Sequence, residues 1–160
     1  MCEDGEVKLA EALAVRADLQ RRIEQLRSRI SDNARYQEGE EPAEDASALL
    51  VEADAALDRL RELIRRINAT NGRITVGDGT MTDALAARDV LRMRHSLLTD
   101  AAAAASGSGQ SFMRQMRSEL RQFPALPVGE LRSRADDVAK ELRELDSSIQ
   151  QANWGNDLDE

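Results

Sequence analysis

One spacing rule constrains this chain more than any other feature. From Lys8 to Asn33, the residues Leu9, Ala12, Arg16, Leu19, Ile23, Leu26, Ile30 and Asn33 follow one another at alternating steps of three and four. That spacing places them along one stripe of an α-helix, as in a heptad seam. Two later segments carry the same rhythm. Leu50, Ala53, Leu57, Leu60, Ile64, Ile67 and Asn71 form the second stripe, and Leu131, Ala135, Val138, Leu142, Leu145, Ile149 and Ala152 the third. Three stripes in 160 residues predict long helices packed side by side. Aromatics make up only 2% of the chain, so the core must be built from Ala, Leu and Ile. Such a core is thin and suits long two-helix contacts better than a compact globule.

The breaks between stripes define the order of elements. Helix 1 is predicted from about Val7 to Asn33, on the order of 40 Å at the usual rise per residue. Gly39 and Pro42 end it in the loop QEGEEPAED. Helix 2 follows, with Glu44 and Asp45 at its positive end and Asn71-Gly72 as its stop. The short loop predicts an antiparallel hairpin. Arg73 to Val76 read as a short strand before a Gly77-Asp78-Gly79-Thr80 turn, and the segment Ser118 to Phe123 is its expected partner. Thr80 or Thr82 caps helix 3, with Asp83 completing a capping box. That helix runs to about Ala105 and ends in Ser106-Gly107-Ser108-Gly109-Gln110. Pro124 and Pro127 lead into helix 4, from about Val128 to Asn153. Trp154 is expected to cover the end of its own bundle, with anchoring of a neighbouring subunit as the second reading. Residues 1–6 read as a leader, 7–154 as a single helical domain and 155–160 as an acidic tail.

Charge narrows the function classes. The net charge is −8, which weighs against a nucleic-acid coat. The distribution is uneven: Arg16, Arg21, Arg22, Arg27, Arg29 and Arg35 lie on or beside helix 1, and Glu38, Glu40, Glu41, Glu44 and Asp45 follow at once. Cys2 is the only cysteine, so no intrachain disulfide forms and a cytoplasmic home is expected. The N-terminal residues carry no cationic region followed by an apolar run, and no segment approaches the ~20 apolar residues of a spanning helix. No membrane association is expected.

The stretches KLAEALAVRADLQRRIEQLRSRI, YQEGEEPAED, LIRRINATN, TDALAARDVLRMRHSLL and DDVAKELRELDSSIQQANW resemble, in the same order, a small family of bacterial helical proteins often labelled septicolysin. The resemblance runs from about Val7 to Trp154 and departs most between Gly107 and Met116. It implies a helical fold. It brings no established activity and no catalytic residues, although the label itself suggests a cytolysin.

Polar residues within the stripes are the candidate sites. Arg88, Arg92 and His95 share one face of helix 3, and Asp89 lies beside them. An arginine in a seam needs a partner, because an unpaired buried charge costs several kcal/mol. Asp18, Asp89 and Asp146 are the candidates. The cluster reads either as an ion pair that fixes helix register or as an anion site. Asn68 and Asn71 end helix 2, where their amides can satisfy cap carbonyls or a strand edge. His95 is the only histidine and has no metal-ligand spacing around it. Gly77 to Thr80 lacks the Lys-Ser/Thr element of a phosphate loop. No catalytic residue, metal or cofactor is assigned.

The expected fold is therefore mainly α: an antiparallel long-helix bundle or coiled coil of four helices, with a minor two-stranded β element. Leu13, Leu49 and Leu63 fall outside the stripes and are expected to leave apolar surface for a homo-oligomer. The function expected is that of a non-catalytic, self-assembling cytoplasmic scaffold or adaptor. A second reading is an anion or nucleic-acid binder using the arginines of helices 1 and 3. A third, taken from the family label, is membrane activity.

Overall fold

The computed structural model describes residues 7–107 and 123–159. Among these residues the order is α1 (Leu9–Asn33), α2 (Ala46–Arg73), β1 (Thr75–Val76), β2 (Gly79–Thr80), α3 (Met81–Ser106) and α4 (Val128–Gly155). The fold is mainly helical with a small antiparallel two-stranded sheet. The chain groups into two compact units. One comprises Met1–Thr75 with Gln151–Glu160, and the other Val76–Gln150.

In the first unit, α1 buries the face that its spacing predicts. Leu9, Ala12, Leu19 and Leu26 are buried, while Arg16, Ile23, Ile30 and Asn33 are half-buried. Its partner α2 packs on a row that shares Ala53, Leu60 and Ile67 with the expected one, leaves Ile64 and Asn71 half-buried, and is turned toward the Leu49 side. Leu49, Ala56, Ile67 and Thr70 are buried and Ala53, Leu60 and Leu63 half-buried, whereas Leu50 and Leu57 are 50% and 47% exposed. Two apolar rows run side by side on this helix. The row starting at Leu49 carries the buried Ala56 and ends in the buried Thr70. Leu49 and Leu63 are therefore core-facing rather than surface leucines, and Leu13 is half-buried.

Ion pairs set the direction of this hairpin. Arg22 Nη2 meets Glu52 Oε1 at 2.5 Å, and Arg29 pairs with Glu44 through two bonds, one of them 2.9 Å from Nε. A step forward on α1 is thus matched by a step back on α2. The Asn33 side chain closes the loop. Its amide donates to the Arg29 carbonyl, and its Oδ1 accepts the Glu44 N–H at 3.0 Å. Asp45 caps α2 by accepting from the Ser47 and Ala48 N–H groups. The far end departs from expectation. Gly72 stays helical, and α2 ends at Ile74 in extended backbone, its N–H bonded to the Thr70 carbonyl.

The short strand also finds a different partner. β1 pairs with β2 immediately after it, through a turn at Gly77 with φ 62°. A two-residue hairpin needs a positive φ in its turn, and glycine supplies it without strain. The expected partner segment, 118–123, lies outside the described residues except for Phe123.

The second unit holds α3 and most of α4. Thr80 Oγ1 accepts the Asp83 N–H, and the Asp83 carboxylate accepts the Thr80 N–H at 2.8 Å. This reciprocal box starts α3. Gly107 ends it in the left-handed region, with φ 78°. Leu91, Leu98 and Ala102 of α3 share a core with Leu131, Ala135 and Val138 of α4, and Leu142 and Leu145 pack against its edge. The predicted stripe of α4 is the one that packs. Trp154, expected to cover the chain's own helices, is 62% exposed.

Candidate functional site

The six candidate residues divide between the two units. Arg88, Asp89, Arg92 and His95 belong to the second. Arg88 and His95 occupy the α3 seam between Ala84, Leu91 and Leu98, and both are half-buried. Three-four spacing puts them there. Asp89 is one residue on, which turns it toward solvent. Its Oδ1 lies 3.6 Å from Arg88 Nε and 3.8 Å from Arg92 Nη1. Arg92 also lies 3.9 Å from Asp146 of α4. Of the three carboxylates considered for Arg88, only Asp89 serves it. Asp146 faces Arg92, and Asp18 pairs with Arg21. The Arg88 Nε atom is buried and makes no hydrogen bond to a described residue. At 24% exposure the guanidinium keeps some water, which lowers the cost of that weak pairing.

The His95 carbonyl accepts the Thr99 hydroxyl at 2.8 Å. Among the described residues, no group of His, Cys, Asp and Glu side chains is arranged to hold a metal ion.

Asn68 and Asn71 belong to the first unit. Asn68 is exposed and Asn71 half-buried, and neither appears in the hydrogen bonds that end α2. Thr70, between them, takes that role. It is 2% exposed. Its hydroxyl donates to the Arg66 carbonyl at 2.8 Å and accepts the Asp159 N–H at 3.0 Å. Both capacities of the oxygen are thereby used.

Asp159 belongs to a polar assembly whose particular partners local pattern does not name. Residues 156–159, read as part of an acidic tail, lie in extended contact with the start of α1 and the end of α2. The Leu9 N–H donates to the Asn156 carbonyl at 3.0 Å, and the Leu158 N–H to the Val7 carbonyl at 2.7 Å. Lys8 and Asp157 form an antiparallel bridge, with a 2.6 Å ion pair between their side chains. Arg66 Nε donates to the Asp159 carbonyl at 2.6 Å, and Arg73 pairs with its carboxylate. The Leu158 side chain is buried. One sequence signal was available: Leu158 is a lone apolar residue between two acids. The partners of Asp159, namely Arg66, Thr70 and Arg73, are about ninety positions away, beyond the reach of local pattern.

The helix 1 arginines are largely committed to carboxylates. Arg21 pairs with Asp18, Arg22 with Glu52, Arg27 with Glu24 and Arg29 with Glu44. The hydrogen bond from Arg29 holds the Glu44 carboxyl below its ordinary range, and the reciprocal bond raises Arg29. Arg65 depresses Glu62 in the same way. No described helix is long and apolar enough to cross a membrane.

Comparison with known proteins places the chain but assigns it no chemistry. No curated protein matches it. A solved structure, the crystal structure of a functionally unknown conserved protein from Corynebacterium diphtheriae, is 37% identical and superposes with a TM-score of 0.88. The match covers 97% of this chain and 100% of that one. The model of a family of unknown function, DUF6847, matches residues 16–158. The chain belongs to that family.

Proposed function

We propose that this protein is a non-catalytic, self-assembling helical scaffold or adaptor that works in the cytoplasm. The observation that supports self-assembly is a second apolar stripe on α3. Val90, Met93 and Leu97 are 51%, 69% and 68% exposed, spaced by three and four. At ~100° per residue, Met93 points about 200° away from Leu91 of the seam. A helix with apolar residues on both faces is ordinarily buried on both. Exposed apolar rows of this kind mark interaction surfaces, and a second copy of the chain presents the same row. Leu50, Val51 and Leu57 add a smaller exposed row on α2. These residues replace Leu13, Leu49 and Leu63 as the basis for self-association.

Size-exclusion chromatography with light scattering tests the reading. The wild-type chain is expected to run above its 17.7 kDa monomer mass at micromolar concentration. Combining Met93→Glu with Leu97→Glu should return it to a monomer with unchanged helix content. A wild-type monomer contradicts the proposal.

A second reading rests on Arg88 and Arg92, which share an α3 face with His95, with Asp89 beside both arginines and Asp146 beside Arg92. That arrangement suits a small anion. Titration with inorganic phosphate, followed by the His95 ring resonances, tests it. No shift at millimolar phosphate removes it. The nucleic-acid version draws no support from α1, whose arginines are paired with carboxylates.

A further inference from the structure

The contact made by residues 156–159 has the form of a bound peptide. A short extended segment lies antiparallel to Val7–Leu9 and exchanges main-chain hydrogen bonds with it on both sides of Lys8. Addition of an extended strand in this way is a recurring mode of peptide recognition, in which backbone bonds give affinity and side-chain pockets give specificity. Both ingredients are present. Lys8 receives the first acid, a buried position receives Leu158, and Arg66, Thr70 and Arg73 receive Asp159 through its carbonyl, its N–H and its carboxylate. The groove thus reads the pattern acid–leucine–acid at three consecutive positions.

The receptor side does not depend on the segment for its own helical frame. α1 and α2 are joined by their seam and by the Arg22–Glu52 and Arg29–Glu44 pairs, and none of these involves residues 156–159. The segment, by contrast, is held by a few hydrogen bonds, two ion pairs and one leucine. It follows Gly155, the last residue of α4. Asn156, the next residue, bonds the Ala152 carbonyl through its N–H and its side-chain amide, so the segment that can leave the groove begins at Asp157. A shallow cleft of 230 Å³ lies beside the segment, lined by Thr70, Arg73, Ile74, Asn156, Asp157 and Asp159.

We propose that the groove formed by Val7–Leu9, Arg66, Thr70 and Arg73 is a binding site for acidic peptide segments with a central leucine, and that Asp157–Asp159 fills it in cis as a displaceable strap. The partner is a protein segment whose backbone is extended and whose leucine is flanked by carboxylates. A tethered segment competes at an effective concentration of order millimolar. An incoming peptide therefore binds weakly to the wild-type chain and more strongly when the strap is disabled. This inference is independent of self-association through α3.

The test uses the full chain with Asp157→Ser, Leu158→Ser and Asp159→Ser combined, and a fluorescein-labelled peptide of sequence Asn-Asp-Leu-Asp-Glu. Fluorescence anisotropy is expected to show the variant binding the peptide at least ~10-fold more tightly than wild type, as removal of a tethered competitor requires. Adding Arg73→Ala should remove most of that gain, and a peptide with lysines in place of its acids should not bind. A folded variant that binds the peptide no better than wild type overturns the proposal. Hydrogen exchange on the wild-type chain gives a second route that needs no variant. The Leu9 and Leu158 amides should exchange together and at least ~10-fold faster than the Leu26 and Ile67 amides, because the strap opens without the helices. Exchange of all four at one rate also overturns it.

Discussion

In the α1–α2 hairpin the cross-helix ion pairs lie outside the seam and reach across it, and the charged seam residue Arg16 is half-buried. In the α3–α4 pair two polar side chains lie inside the seam, and apolar residues lie outside it. The hairpin places Leu9, Leu19, Leu26 and Ile67 in its interior and links its flanks through Arg22–Glu52 and Arg29–Glu44. The other pair places Arg88 and His95 between Leu91 and Leu98, while Val90, Met93 and Leu97 face solvent. The same three-four spacing underlies both. What differs is where the polar groups fall within it. Surface ion pairs add little stability but align the helices, so the hairpin is both closed and in register. Both seams carry polar side chains, and the second unit has the larger unused apolar row, which argues for a further contact.

The largest effects should come from the seams. Leu26→Ala removes a side chain that is 1% exposed and should cost about 2–5 kcal/mol in chemical denaturation. Leu57→Ala, on the row that does not pack, should cost less than ~1 kcal/mol. Equal losses at the two positions would mean that α2 packs on the row starting at Leu50 after all.

Arg88→Met should stabilise the second unit by about 1 kcal/mol, because a half-buried charge with one poor partner gives way to apolar packing of similar length. Arg22→Met, at an exposed pair, should change stability by less than ~0.5 kcal/mol. A large loss from Arg88→Met would show that the guanidinium holds something other than Asp89.

Thr80→Ala should cost about 1 kcal/mol by removing the cap of α3. Acid sensitivity comes from the same box. The Thr80 backbone N–H, and then its hydroxyl, hold the Asp83 carboxyl below its ordinary range. A carboxyl whose folded value lies below its unfolded value contributes stability that is fully present above the unfolded value. That contribution is lost as the pH falls through the folded value. Asp83→Asn should therefore flatten part of the acid-side decline in helix content, measured by circular dichroism between about pH 5 and pH 2. Glu44, held low by Arg29, gives the hairpin a decline of the same sign.

Much of this architecture is legible in the residues. The stripes of α1 and α4 are single rows with polar neighbours, so spacing alone selects the packed face. On α2, Leu49, Ala56 and Leu63 lie beside Leu50, Leu57 and Ile64, which makes two rows that share Ala53, Leu60 and Ile67. Local pattern cannot choose between them. Close packing against α1 does, favouring the row with Ala56. Arg88 and His95 were visible as polar intrusions because they interrupt a stripe. The contact of residues 156–159 was not visible, since acids at a chain end look solvated until Arg66 and Arg73 are brought to them by the fold. The local pairing of β1 with β2 was missed for a different reason. Gly79 and Thr80 read as turn and cap, and Thr80 serves as strand and cap at once.

The mass of the wild-type chain in solution, beside that of the combined Met93→Glu and Leu97→Glu variant, tests the account most directly. Light scattering should give a multiple of 17.7 kDa for the wild type and the monomer mass for the variant, with the same helix content in both. A wild-type monomer, or a variant that stays assembled, would contradict the role given to the outer face of α3.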